Sequence, residues 1–272
     1  MMSRSAAHLV CAAGALIGES PLWSRGRLLW TDPLAPRLLW YSEGALRLVP
    51  TERPVWSLAG LPGGGVCGTL DGAFCGVDTT GTVRAGAGAA LDAGCRFNDM
   101  AVDPGGGLWA GMMHRGLLAT RGAIFHAPSL DEPPRAVASG LGVPNGMKFS
   151  SDGSRLYVID TLARTLLAYP ADGARLGEPV VVSDFLGIPG KPDGMTLGSD
   201  GTFWVAMWGG SCVVQLAVDG AILQQIGVPA PHVSSLCFKT PDTLFVTTSR
   251  MRLSPRELAD NPASGALFEI NL

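Results

Sequence analysis

The stretch DGMTLGSDGTFWVAM (residues 193–207) contains two Asp-Gly pairs, and its reading decides the fold. The second pair, Asp200-Gly201, stands between two apolar runs, where Asp-Gly signals a hairpin turn. The first, Asp193-Gly194, comes ahead of the first run and directly after Pro192. Asn and Asp before Gly are ordinary turn formers. One hairpin needs only one turn, however, so the carboxylate at 193 calls for a separate account.

That account comes from repetition. ESPLWSRGRLLWTD (19–32), NDMAVDPGGGLWAG (98–111), NGMKFSSDGSRLYVID (145–160) and SSLCFKTPDTLFVTT (234–248) follow the same pattern. Each has a short apolar strand, a turn of Gly, Asp, Pro or Ser, and a second strand carrying an aromatic: Trp30, Trp109, Tyr157, Trp204 or Phe245. The first residues, Glu19, Asn98, Asn145, Asp193 and Ser234, are spaced by 79, 47, 48 and 41. A divergent copy, VWSLAGLPGGGVCGTL (55–70), lies inside the long gap. Six such units predict an all-β chain, a six-bladed β-propeller forming a single domain over 1–272.

In a propeller the innermost strand of each blade lines the central channel. The residues that open these strands are then expected to meet at one mouth, far apart in sequence but close in space. The turn residues Asp103, Asp152 and Asp200, spaced by 49 and 48, belong at the opposite face. Two carboxylates and two amides at one focus form an oxygen-rich cluster. Carboxylates packed together raise each other's pKa, and a divalent cation relieves the conflict. Oxygen ligands without Cys or His suit Ca²⁺, Mg²⁺ or Mn²⁺, with Zn²⁺ or Fe²⁺ still open. Arg96, two residues before Asn98, is placed to reach the same mouth and donate to substrate oxygens.

Composition bounds the rest. Of 272 residues, 47% are hydrophobic and 16% charged, enough for a large core and against disorder. With 37 Gly and 20 Pro spread along the chain, many short strands are favoured over long helices. The net charge of −3 without a Lys/Arg run argues against a nucleic-acid partner. The six cysteines show no metal-ligand spacing and read as reduced core thiols of a cytoplasmic protein. The opening MMSRSAAHLVCAAGALIGES (1–20) has the look of a weak signal peptide. His8 interrupts its apolar run and the ring needs Glu19, so the segment reads as a first strand that is kept. No stretch is long enough to span a membrane, and neither GxSxG, a P-loop nor a dinucleotide fingerprint occurs.

IGESPLWS, RFNDMAVDPGGGLWAG, PNGMKFSSDG, GIPGKPDGMTLGSDGTFWVAMWGG and VSSLCF, in this order from about Ile17 to Arg250, resemble the SMP-30/gluconolactonase/luciferin-regenerating-enzyme family of regucalcin-like sugar lactonases. The resemblance implies a six-bladed propeller that holds one divalent metal and hydrolyses a small lactone. It implies Glu19, Asn145 and Asp193 as metal ligands, Asp193 also as catalytic base, and Arg96 and Asn98 as substrate contacts. The chain departs from the family at AGMMHRGLLATRGAIF (110–125), where His114 and Arg115 stand in place of an acidic pair that contacts sugar hydroxyls. Substrate identity therefore does not carry over with the metal site. Two other readings use the same scaffold: a phosphotriesterase-like hydrolase on the same metal, and a non-catalytic metal- or ligand-binding propeller.

Overall fold

Each copy of the repeat folds as one antiparallel hairpin in the structure, a computed structural model that describes residues 6–272. Glu19–Ser24 pairs with Arg27–Asp32, Cys95–Val102 with Leu108–His114, and Pro144–Phe149 with Arg155–Asp160. Lys191–Leu197 pairs with Phe203–Trp208, and His232–Thr240 with Thr243–Ser249. The divergent copy does the same, Ser57–Gly60 with Val66–Thr69. Among the described residues the only α-helix is the short Pro255–Asp260, so the chain is all-β. Among the described residues no helix is long and apolar enough to cross a membrane.

Turn chemistry closes these hairpins as expected. Arg25 and Gly26 have φ of 50° and 76°; in the same sheet Glu43 and Gly44, which join Arg37–Ser42 to Ala45–Pro50, have 50° and 80°. Two consecutive positive φ values are those of a two-residue type I′ turn, whose twist matches the strands it joins. Thr202 donates both its N–H and its hydroxyl to Asp200 Oδ1, at 3.0 and 2.7 Å. Asp103 does more than turn the chain, since its Oδ2 also accepts from Trp109 Nε1 at 2.9 Å.

The chain divides into two compact units, one running up to Pro50 and resuming over Gly187–Leu272, the other Thr51–Leu186. The first contains the four-stranded sheet from Glu19 to Pro50 and an eight-stranded sheet. In the latter, two antiparallel meanders join through a single pair, Trp208 opposite His232. The second of these draws on both ends of the chain, because Ala7–Cys11 pairs with Leu267–Asn271. The expected first strand is thus present over 7–11, while residues 1–5 of that segment lie outside the described residues. The other unit holds three antiparallel sheets, spanning 57–88, 95–141 and 144–183.

Within each unit, consecutive sheets pack face to face. Trp109, Ala101 and Ile124 of one sheet meet Met147, Leu156 and Val158 of the next. Leu28, Trp30 and Leu39 meet Phe245 and Leu267 in the same way. The repeated aromatics are core residues: Trp30 and Trp109 are 1% and 0% exposed. Burial of each contributes on the order of 2–3 kcal/mol. All six cysteines are free thiols, and burial pushes Cys67 and Cys75 up to about 12, where they are inert.

The hairpin turns supply a pH test. The hydroxyls of Ser150 and Ser154, with the Ser154 N–H, hold the Asp152 carboxyl at about 2, below its ordinary 3.8. A depressed carboxylate contributes stability that is present above the unfolded pKa and lost as pH falls through the folded one. Asp152→Asn is therefore expected to flatten the acid limb of stability between about pH 4 and 2. Chemical denaturation of both proteins across that window checks it; an unchanged limb contradicts it.

Candidate active site

The five residues that open the repeats share a local irregularity. The strand register slips by one residue between Glu19 and Leu22, Phe97 and Met100, and Asn145 and Lys148. It slips again between Pro192 and Met195 and between Val233 and Ser235. The divergent copy, Ser57–Gly60 on Val66–Thr69, runs without a slip. An extra residue leaves the ladder unpaired, bends the strand and re-aims its side chains, which is why bulges gather at active sites. Asp193 therefore does not precede its strand, as the position of Asp-Gly led one to expect. It lies within Lys191–Leu197, buried at 7% exposure.

Glu19 and Asp193 belong to the first unit. Glu19, half-buried, opens its strand, and the strands of both residues pack against His232–Thr240. Gly194 explains the glycine of the Asp-Gly pair: a Cβ there would stand 2.5 Å from Ser235 Oγ and 2.7 Å from Ser234 O. Ser234 differs from the other openers. It is fully buried, donates to Gly18 O and sits 3.2 Å from Thr247 Oγ1. It ties its strand to the segment entering Glu19, so it serves as a strut between inner strands.

Arg96, Asn98 and Asn145 belong to the second unit and are linked there. Arg96 Nη1 donates to Asn98 Oδ1 and to Phe97 O, both at 2.8 Å. Asn98 Nδ2 donates to Pro144 O at 3.2 Å, one residue before Asn145. Asn145, 8% exposed, has its amide nitrogen within 3.3 Å of Thr161 Oγ1. The guanidinium of Arg96 lies 3.7 Å from the centre of the Trp56 ring, close enough for a cation–π contact. Asp99 stitches strands together, accepting from Ser57 Oγ at 2.9 Å and from Met147 N at 3.1 Å.

Two aspartates missed by the repeat analysis set the approach to the candidate ligands. Asp32, at the end of LLWTD, accepts from Leu16 N and Ile17 N at 3.0 and 3.1 Å, just before Glu19. Asp160, at the end of LYVID, accepts from Gly142 N and Val143 N at 2.7 and 3.1 Å, just before Asn145. In each case the bonded pair begins three residues ahead of the candidate ligand. The available signal was an acidic residue closing an apolar strand, where a solvent-exposed turn residue is the ordinary reading. Among the described residues no three His, Cys, Asp or Glu side chains cluster in a way that fits a metal. The expected ligand set, with one Asn, has only two of these types.

The SMP-30/gluconolactonase/LRE-like region matches residues 17–250. A pentonolactonase of Haloferax volcanii is 34% identical, covering 94% of this chain and 91% of that protein. A 6-deoxy-6-sulfogluconolactonase of Pseudomonas putida is 31% identical, over 93% and 90%. Among solved structures, a calcium-binding regucalcin of Agrobacterium tumefaciens superposes with a TM-score of 0.89 at 27% identity, covering 98% of this chain and 94% of that one. The fold and the matched region define a lactonase-type all-β hydrolase scaffold. The chain belongs to the SMP-30/gluconolactonase/LRE-like family.

Proposed function

We propose that this protein is a metal-dependent lactonase, opening a sugar lactone or similar small lactone to its hydroxy acid. The observation that carries the reading is that Glu19, Asn98, Asn145 and Asp193 stand at equivalent slipped positions of their repeats, a slip that the Ser234 copy shares and the divergent copy lacks. Relatives named for pentonolactone and sulfogluconolactone hydrolysis support it. On this reading both units form one domain, a propeller of six blades, in which the openers share a channel mouth.

Glu19, Asn145 and Asp193 are the proposed metal ligands. Two carboxylates and a carboxamide are a hard, oxygen-only set of charge −2, which fits a divalent cation such as Ca²⁺, Mg²⁺ or Mn²⁺, and admits Zn²⁺ or Fe²⁺. The Asn145 amide nitrogen donates to Thr161 Oγ1 and its carbonyl oxygen accepts from Gly146 N at 3.2 Å, so the oxygen is the end that would serve as ligand through its second lone pair. A divalent ion held by these three residues would supply Lewis-acid polarisation of the lactone carbonyl and a lowered pKa for the attacking water. Asp193 accepts the proton of that water as its oxygen bonds to the carbonyl carbon, then gives it to the ring oxygen as the C–O bond breaks. Arg96 and Asn98, already joined at 2.8 Å, orient the substrate's hydroxyl and carbonyl oxygens.

The test is a panel of pentono- and hexonolactones with an organophosphate arm, followed by acid release, on protein stripped by chelator and reloaded with each ion. Lactone hydrolysis that disappears on chelation and returns with one metal is the expected result. Turnover unaffected by chelation would refute the metal role. Activity on the organophosphate alone would move the reading to phosphoester hydrolysis, and ligand-dependent stabilisation without any turnover to a binding protein.

A further inference from the structure

Arg115 is exposed, yet it is held at both its backbone and its guanidinium. Its N–H donates to Gly94 O at 2.8 Å. The turn it begins is closed by Leu117 N donating to His114 O at 2.9 Å and by Gly116 N donating to His114 Nδ1 at 3.0 Å. His114 is thereby a turn-forming residue. At the far end, Arg115 Nη2 pairs with Asp71 Oδ1, and the same oxygen accepts from Trp56 Nε1 at 2.9 Å. The guanidinium carbon lies 5.2 Å from the Trp56 ring centre. Trp56 thus carries two guanidiniums, those of Arg115 and of Arg96, and Arg96 is bonded to Asn98.

An exposed arginine ordinarily loses side-chain entropy when it binds, which weakens a surface contact. Here Asp71 and the indole have already ordered the side chain. Of the five N–H donors of an arginine, Asp71 engages one, so a planar fork remains for an anion. Asp71 offsets one of the two positive charges on Trp56, and Asp99 is bound up with Ser57 and Met147. A neutral polyol has no need of two guanidiniums on one ring, whereas a carboxylate, sulfonate or phosphate is matched by them.

We infer that Arg115 is a specificity-determining residue that receives an anionic group carried by the lactone at the end away from the reacting carbonyl. The inference rests on the lactonase reading above and adds the substrate class: acidic lactones over neutral ones. Asp71 and Trp56 act as positioning residues for it.

The experiment compares gluconolactone with its phosphorylated and carboxylated counterparts, phosphogluconolactone and glucarolactone, on the metal-loaded protein. Wild type is expected to favour the anionic lactones in kcat/KM by about tenfold or more, with the preference weakening as salt rises. Arg115→Gln is expected to lower that ratio by about tenfold, mainly through KM for the anionic substrates, and Arg115→Lys to keep part of it. A ratio that is the same in wild type and Arg115→Gln, or a wild type that favours the neutral lactone, overturns the inference. Whether phosphate or carboxylate is preferred distinguishes the source of the anion. Thermal melts establish that each variant is folded. If no lactone is hydrolysed, the parent reading fails by itself. Calorimetry of phosphogluconate against gluconate, in wild type and Arg115→Gln, then decides the anion site: equal affinity for the two in wild type overturns it, and tighter phosphogluconate binding lost in the variant upholds it.

Discussion

Asp193→Asn is expected to lower lactone turnover by about a thousandfold while leaving the fold intact. The substitution keeps the shape of the side chain and one acceptor oxygen. It removes the negative charge that would hold a divalent ion and the basicity needed to take a proton from water. Asp193 is 7% exposed in the slipped register of its strand, and Gly194 beside it leaves no room for a Cβ. Asp193 thus differs in setting from Asp200, whose exposed side chain is taken up by Thr202 across its own turn. The measurement is kcat at saturating lactone over a series of metal concentrations, with metal content and melting temperature recorded alongside. Turnover within a few-fold of wild type at full metal occupancy would remove Asp193 from the chemistry.

Asp32→Ala is expected to give the largest loss of stability, about 3–5 kcal/mol. Asp32 is fully buried and accepts four hydrogen bonds: Leu16 N, Ile17 N, and Arg37 Nε and Nη2 at 3.2 and 2.9 Å. Arg37 Nη2 also reaches Gly14 O at 3.2 Å, so three points of the segment entering Glu19 hang on this ion pair. Alanine leaves a largely buried guanidinium and two N–H groups without their acceptor. Each unsatisfied buried donor adds about 1–3 kcal/mol. Urea denaturation, with the slope compared between the two proteins, measures the loss. A change below about 1 kcal/mol would mean that water replaces the carboxylate and that this segment is not held as described.

Much of the fold was legible because its causes are local. Alternating apolar residues give strands, and Arg25-Gly26 and Asp200-Gly201 set the turns between them. A repeated Trp or Tyr marks the strand that enters the core, and even the divergent copy at 55–70 formed its hairpin. The candidate site was legible as a list of positions, Glu19, Asn98, Asn145 and Asp193, since a repeat gives equivalence without coordinates. Ser234 met the same rule and turned out to be a strut, because its hydroxyl is spent on Gly18, 216 residues away in the chain.

The sequence by itself determined that the chain is all-β, where its hairpins turn, and which polar residues stand at the head of each repeat. The tertiary structure alone decided that a slipped register accompanies those residues, that Asp32 and Asp160 hold the segments leading into them, and that Trp56, Asp71, Arg96 and Arg115 form one cluster. The physical reason is the range of the forces involved. Propensity and turn geometry act within a few residues, so one sequence reveals them. A buried hydrogen bond or a cation over an indole depends on which distant strands become neighbours. For Asp71 and Arg115, 44 residues apart, only the packed sheets bring the two charges together.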